Sequence, residues 1–127
     1  MKLPRVIPLL LIEDNKLVKT KNFSNPKYVG DPLNIIRIFN EKEVDEIAIL
    51  DISKNRKEPN YNLLKNMAEE CFVPLAYGGH IKTLTTASKI FKLGFEKVIL
   101  NSEFLENPNI IKSISDKFGS QSVIVSI

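Results

Sequence analysis

The feature that most restricts how this chain can fold is a pattern that recurs four times along its 127 residues: a short apolar run, a polar break, then apolar residues at helical spacing. The sharpest instance is Phe72-Val73-Pro74-Leu75-Ala76-Tyr77-Gly78-Gly79-His80-Ile81-Lys82, which gives way to a stripe of Leu84, Ala87, Ile90 and Phe91 closed by Gly94. It predicts a buried strand that turns directly into a helix. Paired glycines at such a turn let the backbone take positive φ and approach a ligand, and free N–H groups at a helix start favour an anion, a phosphate above all. The same two glycines would equally serve a plain tight turn.

The other units follow the same plan. Residues 6–12 form a nearly unbroken apolar run, Asp14-Asn15 offers a turn, and a short extended segment follows around Leu17 and Val18. Residues 19–30 are polar and hold Asn22, Ser24, Asn25, Pro26 and Gly30, which predicts an ordered loop in which Lys19 and Lys21 either meet a phosphate or are simply solvated. Asp31 then caps a helix with Pro32 at its first position and Leu33, Ile35, Ile36 and Phe39 as its stripe. Ile47-Ala48-Ile49-Leu50 is the second unit's strand and ends in Asp51, a carboxylate where parallel α/β sheets bind ligands. Asn60 caps the next helix, with Leu63, Leu64, Met67, Ala68 and Cys71 on its apolar side. Val98-Ile99-Leu100 ends in Asn101-Ser102, Asn107-Pro108 opens a last helix closed by Gly119, and residues 122–127 begin a fifth strand.

Strict strand–helix alternation implies a parallel sheet with right-handed crossovers. The architectures open to it are a small open α/β sandwich and part of a (β/α)8 barrel. The barrel is favoured because no G-x-G-x-x-G follows the first strand, and because polar residues recur at strand ends in Asp51, Gly78-Gly79 and Asn101-Ser102. Half a barrel leaves its first and fifth strands as edges and its inner face uncovered, so a homo-oligomer is expected.

Composition narrows the function classes. The net charge of +3 comes from lysines interspersed with acids, which argues against nucleic acid but leaves anionic small molecules open. The basic, apolar N-terminus holds Pro8 and lacks a small-residue cleavage site, and no stretch is long enough to span a membrane. With a lone Cys71 and no clustered ligands, a cytoplasmic domain with neither disulfide, metal nor cofactor is expected.

The string Arg5-Val6-Ile7-Pro8, Asp14, Leu17-Val18-Lys19, Asn22-Phe23, Gly30-Asp31-Pro32, Asp45-Glu46, Leu50-Asp51-Ile52, Pro74-Leu75, Gly78-Gly79, Lys97-Val98 and Asn101-Ser102 through Glu106-Asn107-Pro108 resembles the cyclase subunit of imidazole glycerol phosphate synthase. The resemblance runs through the whole chain in order. It implies a (β/α)8 barrel, represented here by four βα units and a fifth strand forming an N-terminal half barrel. That subunit accepts ammonia from a glutaminase subunit docked at the barrel bottom and uses it at the top in histidine biosynthesis. It also implies a phosphorylated ligand held by Lys19, Asp51, Gly78, Gly79, His80, Asn101 and Ser102. Arg5, Glu46 and Lys97 match three of the four members of the family's ammonia gate.

The departures from the pattern carry as much information. Leu11 stands where the family has its catalytic aspartate on the first strand, and a leucine moves no proton. The second catalytic aspartate falls past Ile127, and His80 replaces the third glycine of a Gly-Gly-Gly turn. As a base His80 competes with a plain solvated turn histidine. Leu11, with Pro8-Leu9-Leu10-Leu11, Lys19-Thr20 and Ala76-Tyr77, is most similar to a divergent branch associated with amidation of surface-polysaccharide sugars, where the barrel relays ammonia to a separate sugar-modifying enzyme. A catalytically silent half barrel is the third reading.

Overall fold

The computed structural model describes residues 5–21, 24–101, 105 and 107–126. The first unit opens with strand β1 (Leu9–Glu13), β2 (Lys16–Lys21) and β3 (Ser24–Gly30), followed by helix α1 (Pro32–Glu41). Then come β4 (Ile47–Asp51), α2 (Tyr61–Glu70), β5 (Leu75–Gly78), α3 (Leu84–Lys92), β6 (Lys97–Asn101), α4 (Asn109–Phe118) and β7 (Val123–Ser126). They build one seven-stranded sheet in the order β3-β2-β1-β4-β5-β6-β7. From β1 to β7 every pairing is parallel, while β2 and β3 add antiparallel to the outside of β1. The architecture is the N-terminal part of a (β/α)8 barrel, with four βα units and a fifth parallel strand.

Register explains what the sheet buries. Leu10, Ile49, Tyr77, Val98 and Val123 stand in one row across the parallel strands and face the helices. Ile36 of α1, Leu64 and Met67 of α2, Ala87 and Ile90 of α3 and Ile114 of α4 close over that face and are themselves buried. The opposite face carries Leu11, Leu50, Gly78, Ile99 and Ile124 in register. Among the described residues no helix covers it, and Leu9 and Ile124 on this side keep 54% and 42% of their surface exposed.

Helix ends follow the sequence closely. The Asp31 carboxylate accepts from the Leu33 N–H at 3.3 Å, the Asn60 amide oxygen from the Leu63 N–H at 3.2 Å, and the Thr83 hydroxyl from the Thr86 N–H at 3.2 Å. Asn40, in the last turn of α1, ties two helices together: its amide donates to the Glu70 carbonyl at 2.7 Å and accepts from the Phe72 N–H at 3.0 Å.

Three expectations need correction. Within the polar stretch 19–30, residues 19–21 and 24–30 are not loop but paired strand, and the lysines and Pro26 masked the strand signal because hairpin edges tolerate such residues. The hairpin also removes β1 from the edge, so the edges are β3 and β7. Phe72, read as the start of a buried run, is 85% exposed, and the strand begins only at Leu75, because Pro74 and the preceding turn hold Phe72 outside the sheet. The Asp14-Asn15 turn is present with both residues at positive φ (50° and 68°), the two-residue geometry that matches strand twist.

The uncovered face leads to a prediction about association. Burying a few hundred Å² of it would contribute on the order of 10 kcal/mol before the cost of association. The purified 127-residue chain should therefore scatter light as a dimer or larger, and Ile124→Lys should shift it toward monomer. A monomer whose unfolding midpoint is independent of concentration would show that this face needs no partner.

Candidate functional site

The sheet has two chemically different ends. At the amino ends of the parallel strands, Glu46 lies just before β4 with its carboxylate only 9% exposed. One oxygen meets the Arg5 guanidinium at 2.7 Å and the other the Lys97 ammonium at 2.9 Å. Backbone bonds bring these elements together: the Asp45 N–H donates to the Val6 carbonyl at 2.9 Å, the Asp45 carboxylate accepts from the Val6 N–H at 2.6 Å, and the Glu96 N–H donates to the Leu75 carbonyl at 2.9 Å. Lys97 shares its row with Ala48 and Ala76, whose small side chains leave room on the open face for its stem. Arg5 is 62% exposed and Lys97 23%, so Lys97 gives the more shielded contact and the stronger of the two pairs. Sequence reasoning grouped Arg5, Glu46 and Lys97, and the fold brings the three into one ion cluster.

At the carboxyl ends lie Asp51, the Gly78-Gly79-His80 turn and Asn101. The Asp51 carboxylate is 7% exposed and accepts from the Ser53 N–H at 2.9 Å. The two glycines serve different purposes. A Cβ on Gly78 would come within 2.6 Å of the Leu50 side chain and 3.0 Å of Ile99, so this position is a matter of close strand packing, and its φ is not positive. Gly79 has φ 137°, and a Cβ there would lie 2.8 Å from the Asp51 carbonyl, 2.9 Å from its Cβ and 3.1 Å from the Tyr77 hydroxyl. The expectation of positive φ at both glycines is thus met only at Gly79, and His80 is the next residue in that region, at φ 58°.

His80 is not a solvated turn residue. Its side chain is 15% exposed, and Nε2 sits 3.7 Å from the Asp51 carboxylate, buried and, among the described residues, with no hydrogen-bond partner. Tyr77, which sequence reasoning treated as core, adds a second buried polar atom, its unpartnered hydroxyl. Burial, and next the nearby Asp51 charge, push that phenol far above its usual range, so it stays a neutral donor. The only signal for it was a tyrosine inside an otherwise apolar strand.

Two other expected residues stand apart. The register of β2, with Val18 opposite Leu11, sets Lys19 beside the middle of β1. There it lines a cleft of about 270 Å³ with Leu11, Leu17, Ile35 and Phe39 and is not gathered with Asp51 and His80. Leu11 lies in the apolar row with Leu50, Gly78, Ile99 and Ile124. Ser102, Asn22, Phe23 and Glu106 lie outside the described residues.

A family profile described as histidine biosynthesis protein matches residues 5–127. The chain belongs to that family. It is 60% identical over 125 residues, 97% of the chain, to a Pseudomonas aeruginosa protein provisionally named imidazole glycerol phosphate synthase subunit hisF2. A protein of Leptospira borgpetersenii, provisionally named imidazole glycerol phosphate synthase subunit HisF, is 54% identical over 98% of the chain. The imidazole glycerol phosphate synthase subunit HisF of Streptococcus mutans is 38% identical over 97% of it. In each case the match covers 50% of the relative, so the chain spans about half the length of the curated relatives it matches. Among the described residues no helix is long and apolar enough to cross a membrane.

Two substitutions test the geometry. Gly79→Ala forces an L residue into a left-handed conformation against the Asp51 backbone and should cost at least about 2 kcal/mol, read from the urea midpoint. Glu46→Ala leaves two cations facing each other beside the sheet and should cost about 2–4 kcal/mol, with Arg5→Ala costing far less because Arg5 is mostly solvated. Equal losses for Glu46→Ala and Arg5→Ala would contradict this ranking.

Proposed function

We propose that this chain is the ammonia-accepting part of a HisF-type synthase subunit, the kind of protein its relatives are named for. The observation that supports it most is the Arg5–Glu46–Lys97 cluster at the amino ends of the strands. Arg5 and Lys97 both pair with Glu46, and Lys97 shares its row of the open face with Ala48 and Ala76. A constriction held by ion pairs restrains bulk water, while neutral ammonia, small and uncharged, can slip between them. The relatives are named as subunits, and the partner that fits this end is a glutaminase that releases ammonia there. At the opposite end the Gly79-His80 turn, Asp51 and Asn101 would face a phosphorylated small molecule, with the N-cap of α3, Thr83, three residues beyond His80 and the helix start favouring its negative charge.

The expected outcome for the gate is a split between nitrogen sources. With the protein paired to its glutaminase, Glu46→Gln should lower glutamine-dependent product formation at least tenfold and leave ammonium-dependent formation unchanged. Equal loss with both sources would remove the gate reading.

A second reading is supported by Leu11. An apolar residue in an apolar row leaves the first strand without a proton carrier, which suits a barrel that passes ammonia to a separate sugar-modifying enzyme better than one that closes a ring itself. Complementation distinguishes them. Growth without histidine of a strain lacking its cyclase subunit, when given this chain's gene, supports the cyclase. No growth, with or without Leu11→Asp, supports the relay.

A further inference from the structure

His80 carries two costs that a glycine at the same position would avoid. A non-glycine residue at φ 58° is strained, and a buried ring nitrogen without a hydrogen-bond partner loses its hydration for nothing in return. Strain and an orphaned polar atom on one residue, at the carboxyl end of a parallel sheet, point to use rather than packing. The ring is fixed by what surrounds it. Nε2 is the buried nitrogen and faces the Asp51 carboxylate at 3.7 Å, which leaves Nδ1 on the solvent side. Asp51 in turn cannot turn away freely, since the Ser53 N–H holds Oδ1 at 2.9 Å and Gly79 packs against its Cβ.

We propose that Asp51 and His80 form an orienting pair in which the carboxylate selects the Nε2–H tautomer, so that Nδ1 is presented as an acceptor to a hydroxyl or amine of a ligand bound over the Gly79-His80 turn. A carboxylate can only accept, so closing the 3.7 Å gap to a hydrogen bond requires the proton on Nε2 and the lone pair on Nδ1. Gaps of this size commonly tighten when a site fills. If the ligand group ionises, its O–H or N–H bond breaks toward Nδ1, whose lone pair forms the new N–H bond, and the imidazolium is balanced by Asp51. Asp51 is then a positioning residue, and His80 is the proton acceptor that Leu11 is not. The ligand half of this proposal rests on the reading that a phosphorylated small molecule binds at this end.

The chain has one histidine, so its ring nitrogens can be read without assignment by long-range proton–nitrogen correlation. The neutral imidazole should be nearly all Nε2–H, and Asp51→Ala should return it to a mixture. An Nδ1–H imidazole, or a mixture in the unmodified chain, overturns the pair even if Asp51→Ala fails to fold. Ribose 5-phosphate and inorganic phosphate are the ligand probes. His80→Ala should weaken ribose 5-phosphate about five- to tenfold and leave phosphate unchanged, and His80→Gln, which keeps an acceptor, should recover part of the loss. Equal weakening of both probes overturns the acceptor role. Failure of either probe to bind the unmodified chain at millimolar concentration removes the phosphate reading and the ligand half with it, while the tautomer result still decides the pair.

Discussion

The structure depends on one constraint: a parallel sheet must bury the face its helices cross, and here Leu10, Ile49, Tyr77 and Val98 in strict register are that face. Because the row is continuous, a helix of one unit cannot slide without uncovering the strand of the next. Strand ends are thereby fixed relative to one another, and residues far apart in sequence meet at each end. Glu46 and Lys97 are 51 positions apart, yet they meet at 2.9 Å because β4, β5 and β6 hold a common register. The site chemistry is a by-product of the packing.

Much of this was legible in the sequence, for physical reasons that differ by element. Asp31-Pro32 and Asn60 announce helix starts because few side chains can satisfy the first N–H groups. The runs 47–50 and 98–100 announce strands because both their faces are apolar, and Asp14-Asn15 announces a turn because both residues tolerate positive φ. The hairpin β2–β3 was not legible. Its strands hold lysines and a proline, so composition favours a loop while backbone pairing with β1 decides for a strand. Phe72 misled for the opposite reason, since an aromatic beside Val73 reads as core until the Asn40 hydrogen bond to its N–H is known.

The candidate site was legible at one end only. Taken by themselves Arg5, Glu46 and Lys97 read as solvated strand starts; the family resemblance grouped them, and parallel strands in register bring those starts together. At the other end no sequence rule separates a solvated turn histidine from one folded onto a carboxylate. That distinction rests on Gly79, whose missing Cβ is what lets the chain pass within van der Waals contact of Asp51 and carry His80 over it. The placement of His80 beside Asp51 therefore follows from the geometry of a glycine.

The two ends also differ in how their polar groups are treated. At the amino ends each oxygen of the Glu46 carboxylate has a cation, so the cluster is satisfied by the chain itself. At the carboxyl ends the Tyr77 hydroxyl and His80 Nε2 are buried without partners beside an Asp51 that has one backbone donor. Folded proteins rarely leave such atoms unmatched, and those that persist concentrate at functional sites. A barrel end that must hold itself together is thus paired internally. On the proposed reading, an end that receives a ligand keeps donors and acceptors in reserve, here the Tyr77 hydroxyl and His80 Nε2.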